Sequence, residues 1–192
     1  QSEWNAGAFV FSFDGPDMNA YCANLGIAPT VEVGFTKLKL DDSEEVIAVD
    51  EGDGFIIVRT GDAEGTFLNG KFQFLPETAA HPAVAAGIID LTDEMETTVY
   101  AVASKSFGQC YRTAFGEITS PRFHAGVGGG LLSGIFGGVS AALGDRLFLM
   151  VEYDGDNFNA GARFSITEDW HAHFAGLDWF DDVAFGISYV KA

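Results

Sequence analysis

Positive charge is scarce in this chain. Lys and Arg number 10 against 28 Asp and Glu, a net charge of -18 over 192 residues. A field of that sign repels phosphate backbones, which argues against nucleic-acid binding. It also offers no polybasic patch to an anionic membrane surface. It does permit divalent cations as partners, and it keeps an otherwise apolar chain dispersed. Cysteine is nearly absent too. Cys22 and Cys110 allow one disulfide in an oxidising compartment, or two separate thiols. The opening QSEWNAGAF holds no signal peptide and starts on Gln rather than Met, as expected of a chain whose secretory signal has been removed. No linker divides the sequence, and the length suits a single domain, 1–192.

Nucleotide-binding and catalytic signatures are missing as well. The run GVGGGLLSGIFGGVSAALG, Gly126 to Gly144, carries no charge. It lacks the Lys of a Walker loop. After Gly126 and Gly128, the third position of a dinucleotide fingerprint falls on Leu131. The run approaches the about 20 apolar residues of a spanning helix. Gly130, Gly134 and Gly138 even recur at a spacing that suits helix packing. Against a helix stand seven glycines between Val127 and Gly144, each costing up to about 1 kcal/mol, and the lack of a flanking basic cluster. No Ser-His-Asp order or nucleophile elbow is present. The expectation is a protein that is not an enzyme and needs no cofactor.

What the sequence has instead is alternation. In TVEVGFTKL, Val31, Val33 and Phe35 share one face and Glu32, Gly34 and Thr36 the other. TFLNGKFQF opposes Leu68, Phe72 and Phe74 to Asn69, Lys71 and Gln73. TTVYAVASK, RLFLMVEYD, NFNAGARFSI and VAFGISYV repeat the pattern, and so does the glycine-rich run when read as two strands joined by GGLLSG. Strict period two argues for strands. In YDGDNF, a two-residue turn at Gly155-Asp156 sets Tyr153 against Phe158, Glu152 against Asn159, Val151 against Ala160 and Leu149 against Ala162. Apolar then meets apolar and polar meets polar. A turn at Thr167-Glu168-Asp169 sets Ser165 against His171 and Arg163 against His173. The expected fold is all-β, an up-and-down antiparallel β-barrel of about 12 strands of roughly ten residues, the length that crosses a bilayer at a tilt. Asp41 to Glu64 is its least defined part.

Soluble and membrane barrels share this alternation and differ in which face looks out. The less apolar face here carries Gly, Ala, Ser, Asn and His, with few ions, and charge gathers in the turns. A water-facing surface would carry charges across its centre. The other face is almost unbroken Val, Leu, Phe, Ile and Ala, with Tyr153, Phe158, Trp170 and Tyr189 near strand ends. An outward apolar band with aromatic girdles and a small, polar interior describes a membrane barrel.

The segments NGKFQFLPE, HPAVAAGIIDL, YAVASKSFG, VEYDGDNFNAGARFSIT and FGISYV resemble those of bacterial outer-membrane β-barrel proteins of the YjbH type. The resemblance runs from about Gly65 to Val190, and the hairpin Glu152 to Arg163 is its most specific part. It implies an outer-membrane barrel associated with exopolysaccharide production and export.

On this reading Glu152, Asn159, Arg163, His171 and His173 form a polar cluster in a narrow lumen. His171 and His173 point the same way and offer two metal ligands, with Glu152 or Asp154 nearby, but no third ligand has diagnostic spacing. A structural network is the preferred reading of the cluster, because buried charges need partners. Asp50, Glu51 and Asp53 are weak candidates for a divalent cation, in a segment without EF-hand spacing. In the strand count Cys22 follows the first strand and Cys110 the sixth. That would put them at opposite ends of the barrel, too far for the about 7 Å a disulfide spans, so their pairing stays open. Three functional readings follow. The first is a non-enzymatic bacterial outer-membrane barrel, structural or accessory to envelope exopolysaccharide traffic, with membrane lipid as its surroundings. The second is a secreted extracellular β-protein whose apolar face packs on copies of itself or on a partner. The third is a lipocalin-like carrier of a hydrophobic ligand.

Overall fold

A computed structural model describes residues 3–12, 17–40, 46–47, 59–60, 64–94, 96–108, 111–113, 116–130, 132 and 134–191. Twelve strands form one ring: β1 (Trp4–Ser12), β2 (Met18–Ala28), β3 (Val31–Leu40), β4 (Glu64–Leu75), β5 (Ala83–Ile89), β6 (Thr98–Ser106), β7 (Gly116–Gly128), β8 (Gly134–Leu143), β9 (Leu147–Tyr153), β10 (Phe158–Ser165), β11 (Trp170–Leu177) and β12 (Asp182–Lys191). Each pairs antiparallel with its neighbours in sequence, and β12 pairs with β1, from Trp4 opposite Lys191 to Ser12 opposite Val183. The ring is therefore a closed up-and-down barrel with no free sheet edge. Val46–Ile47 pairs with Arg59–Thr60, and Tyr111–Thr113 with the start of β7, as short ribbons beside it. Among the described residues no helix is long and apolar enough to cross a membrane, which says nothing of strands.

The local reasons are those of the alternation. The glycine-rich run folds as the β7–β8 hairpin, with Gly128 opposite Gly134 and Phe123 opposite Val139. In the β9–β10 hairpin, Glu152 stands opposite Asn159 and Leu149 opposite Ala162. Its turn places Gly155 at φ 121°, a conformation that favours glycine. The Asp154 carboxylate accepts the N–H groups of Asp156 (2.9 Å) and Asn157 (2.8 Å), an Asx-turn that closes the hairpin. On the β10–β11 side Ser165 faces His171 and Arg163 faces His173.

The barrel has two unlike ends. Both termini and the turns Pro29–Thr30 and Gly144–Arg146 lie at one, called the terminal end. Strands β1, β3, β5, β7, β9 and β11 end at the other, the loop end, and the sequence segments that follow them hold most of the acidic residues. Register slips at Gly26/Ala28, Gln73/Leu75 and Thr119/Arg122 all fall toward the terminal end. At the last of these, Ser120 adopts φ 47° and Pro121 brings no N–H to the ladder, as suits a bulge at a barrel rim.

The apolar face looks out. Val151 is 47% exposed, Val127 57% and Phe185 56%, and the same face continues through Phe35, Leu68, Val99 and Leu149. The inward face holds Asn159, His171, Ser140, Ser188 and Thr36, all buried. Aromatic rings gather at both rims. Tyr189 lies 5.3 Å from Trp4 and 5.1 Å from Trp170 at the terminal end, and Phe158 lies 5.1 Å from Tyr153 and 5.0 Å from Trp179 at the loop end. Outer-face charges also sit near the rims. Lys37 pairs with Glu64 (2.5 Å) toward the loop end, and Lys105 with Glu77 (3.8 Å) at the terminal end.

Candidate functional site: the barrel lumen

The structure divides the predicted cluster along β9–β11: Glu152 and Asn159 lie toward the loop end, and Arg163, His171 and His173 toward the terminal end. Asn159 is 3% exposed and bridges two loops. Its amide donates to the Asp154 carboxylate (2.9 Å), and its carbonyl oxygen accepts the backbone N–H of Asp178 (3.0 Å). Asn159 is thus a fastener of the loop end. Arg163 lies with its guanidinium 4.7 Å from the centre of the Phe148 ring, a cation–π contact. His171 Nδ1 lies 3.1 Å from the Ser165 hydroxyl, and His173 Nε2 lies 2.7 Å from the Ser188 hydroxyl. Each histidine therefore has its own serine. Glu152 is half-buried toward the loop end, opposite Asn159. Among the described residues no three of His, Cys, Asp and Glu are grouped to hold a metal ion. Asp50, Glu51, Asp53 and Cys110 lie outside the described residues.

Two expectations need correction. Cys22 does not follow the first strand. It sits inside β2, faces inward, and its thiol lies 3.5 Å from the Gly7 carbonyl oxygen. The lumen is also not uniformly small and polar. Phe9, Phe11, Met18, Ala20, Cys22, Leu38, Phe67, Ala175, Leu177 and Ala184 form one buried apolar cluster toward the loop end of β1–β4, β11 and β12. Large rings fit inside because glycines lie beneath them. Phe9 covers Gly7 and Gly186, where an added Cβ would come within 2.7 Å and 2.1 Å of the ring. Phe136 and Tyr100 cover Gly126 and Gly87 in the same way.

At the terminal end the lumen opens into a cavity of about 930 Å³, whose polar lining includes Glu32, Lys71, Gln73, Ser104 and Arg122. Glu32 and Lys71 stand opposite each other on β3 and β4. His124 Nδ1 lies 2.8 Å from the Ser104 hydroxyl, a third histidine–serine pair that sequence reasoning missed. Lys71, Gln73 and Ser104 had been legible as members of polar strand faces. Their meeting with Arg122 was not, because it depends on the pairing of β4 through β7. Outside the cavity Glu77 accepts the Ser106 N–H (2.8 Å) and hydroxyl (3.2 Å) and lies 3.9 Å from Arg122. These donors hold its carboxyl below the usual range, the Ser106 N–H first, then its hydroxyl, Lys105 and Arg122.

A closed antiparallel ring with its apolar face outward and its polar groups inward defines a β-barrel of the inside-out kind. The comparisons agree on architecture. No family model matches the chain, of the YjbH type or any other, and no curated protein matches its sequence. A solved structure described as a KdgM porin is similar in fold, with a TM-score of 0.62 over 98% of this chain and 99% of that one, at 9% identity. At that identity the likeness speaks for the barrel alone.

Proposed function

We propose that this chain is a non-enzymatic β-barrel of the bacterial outer membrane, with a narrow, partly polar lumen. The observation that carries the reading is the outer face. Leu149, Val151, Phe164, Phe174, Phe185 and Ile187 are all more than a third exposed on four adjoining strands. Monomeric soluble proteins rarely expose contiguous apolar patches above a few hundred Å², whereas lipid covers such a band at no cost. Rings at both rims and ion pairs near the ends fit the headgroup regions. The likeness to a structure described as a porin supports the barrel architecture this reading needs. An accessory part in exopolysaccharide traffic is the finer form of the proposal, and it rests on the resemblance of the hairpin Glu152 to Arg163.

The other readings fare worse. A lipocalin-like carrier needs a polar outer wall, and the outer wall here is apolar. A self-assembling secreted protein would use the same apolar outer face, but the aromatic rings and ion pairs at both rims favour lipid as its cover. Cell fractionation tests the proposal. The protein is expected in the envelope fraction and to need detergent for release. Recovery in the soluble fraction without detergent would overturn it.

A further inference from the structure

Burial is uneven along the lumen. At the terminal end the inner wall encloses a cavity of about 930 Å³. Toward the loop end Phe11, Met18, Leu38 and Leu177 are 0% exposed, and Phe67 is 3% exposed. Inward side chains of a water-filled pore are wetted, and these are dry. With Ala184 of β12 they come from six adjoining strands, each within a few residues of the strand's loop-side end. On the facing wall Ile89 and Leu132 form a second buried apolar cluster, against which Tyr100 and Phe136 pack.

We infer that this apolar collar is a hydrophobic plug: the lumen is a vestibule open at the terminal end and shut to ions at the loop end. The inference rests on the membrane reading above. The physical reason is desolvation. An ion passing a constriction lined largely by dry apolar side chains sheds water that those walls do not replace, and such constrictions close by dewetting. The polar residues of the cavity would then hydrate solutes that enter from one side only, without a through-path.

The test uses the full chain refolded into vesicles and planar bilayers, with insertion measured separately by vesicle flotation and by heat-dependent gel mobility. The native chain is expected to float with the vesicles yet show no discrete conductance steps. Phe11→Ala/Leu38→Ala, once shown to be inserted and folded, is expected to show them. A second readout does not depend on that variant folding. In a Cys110→Ser background, Cys22 lies within the plug and is expected to resist a small charged thiol reagent applied from either side. Stable conductance steps from the native chain, or rapid labelling of Cys22, would overturn the plug while leaving the membrane reading standing. Failure of the native chain to float would overturn both, and is distinguished by the flotation result itself.

Discussion

Val151 and Glu152 are neighbours in sequence and lie on opposite sides of the barrel wall. Val151 is 47% exposed on the outer face, and Glu152 faces inward opposite Asn159. The same holds one step back, with Leu149 outward and Met150 inward. Leu149→Arg should therefore cost about 2–4 kcal/mol of stability in a bilayer if it lies near the midplane. Met150→Arg should cost less, because the lumen is polar there and Glu152 is two residues along on the same face. Urea unfolding of the two variants in lipid vesicles checks the order.

Asn159 makes a different kind of prediction. It donates to Asp154 and accepts from the Asp178 N–H, so truncation leaves two partners unsatisfied at a buried site. Asn159→Ala is expected to destabilise the barrel by roughly 1–3 kcal/mol. Asn159→Asp keeps the acceptor but sets a second carboxylate against Asp154. Its deficit should shrink at acid pH, where carboxylates protonate. Unfolding of both variants at neutral and acid pH reads the difference.

The Phe9 ring and Gly186 are mutually exclusive with a larger residue beneath the ring. Gly186→Ala would put a Cβ 2.1 Å from the ring, so the ring must leave its place. The expected loss is about 1–3 kcal/mol, the usual range for overpacking. Phe9→Leu in the same chain should restore part of it, and a double-mutant cycle measures the coupling.

Glu77 gives the terminal end a pH dependence of known sign. Its carboxyl is held below the usual 4.5 by the Ser106 N–H and hydroxyl and by Lys105 and Arg122. A depressed folded value means that the contribution is present above the unfolded value and is lost as pH falls through the folded one. Glu77→Gln should flatten the acid limb of a stability-against-pH curve, lowering the level at neutral pH slightly and leaving the slope above neutrality unchanged. The effect is small, because Glu77 is only half-buried and solvent screens its charges.

Much of this was legible without coordinates, for one physical reason. A strand shows its two faces at period two, so the β9–β10 hairpin declared its register, its turn at Gly155-Asp156 and its outward Leu149 and Val151. The uncharged run from Gly126 resolved into a hairpin because its glycines are poor in helices. The apolar plug was hidden by the same logic. In β1, Phe9, Val10 and Phe11 are all apolar, so alternation assigns neither face, and Phe67 beside Leu68 is equally mute. The role of Asn159 was out of reach because its partner Asp178 lies 19 residues away across a third strand. The terminal-end cavity likewise joins side chains of β3 through β7, which no local pattern connects.

The central claim is that lipid covers the apolar face, and depth-sensitive quenching tests it most directly. In a Cys22→Ser/Cys110→Ser background, Leu149→Cys, Met150→Cys, Val151→Cys and Glu152→Cys are each labelled with a fluorophore and refolded into vesicles that contain brominated lipid. The account predicts strong quenching at 149 and 151 and weak quenching at 150 and 152. Equal quenching at all four positions, or strong quenching at 150 and 152 with protection at 149 and 151, would contradict it.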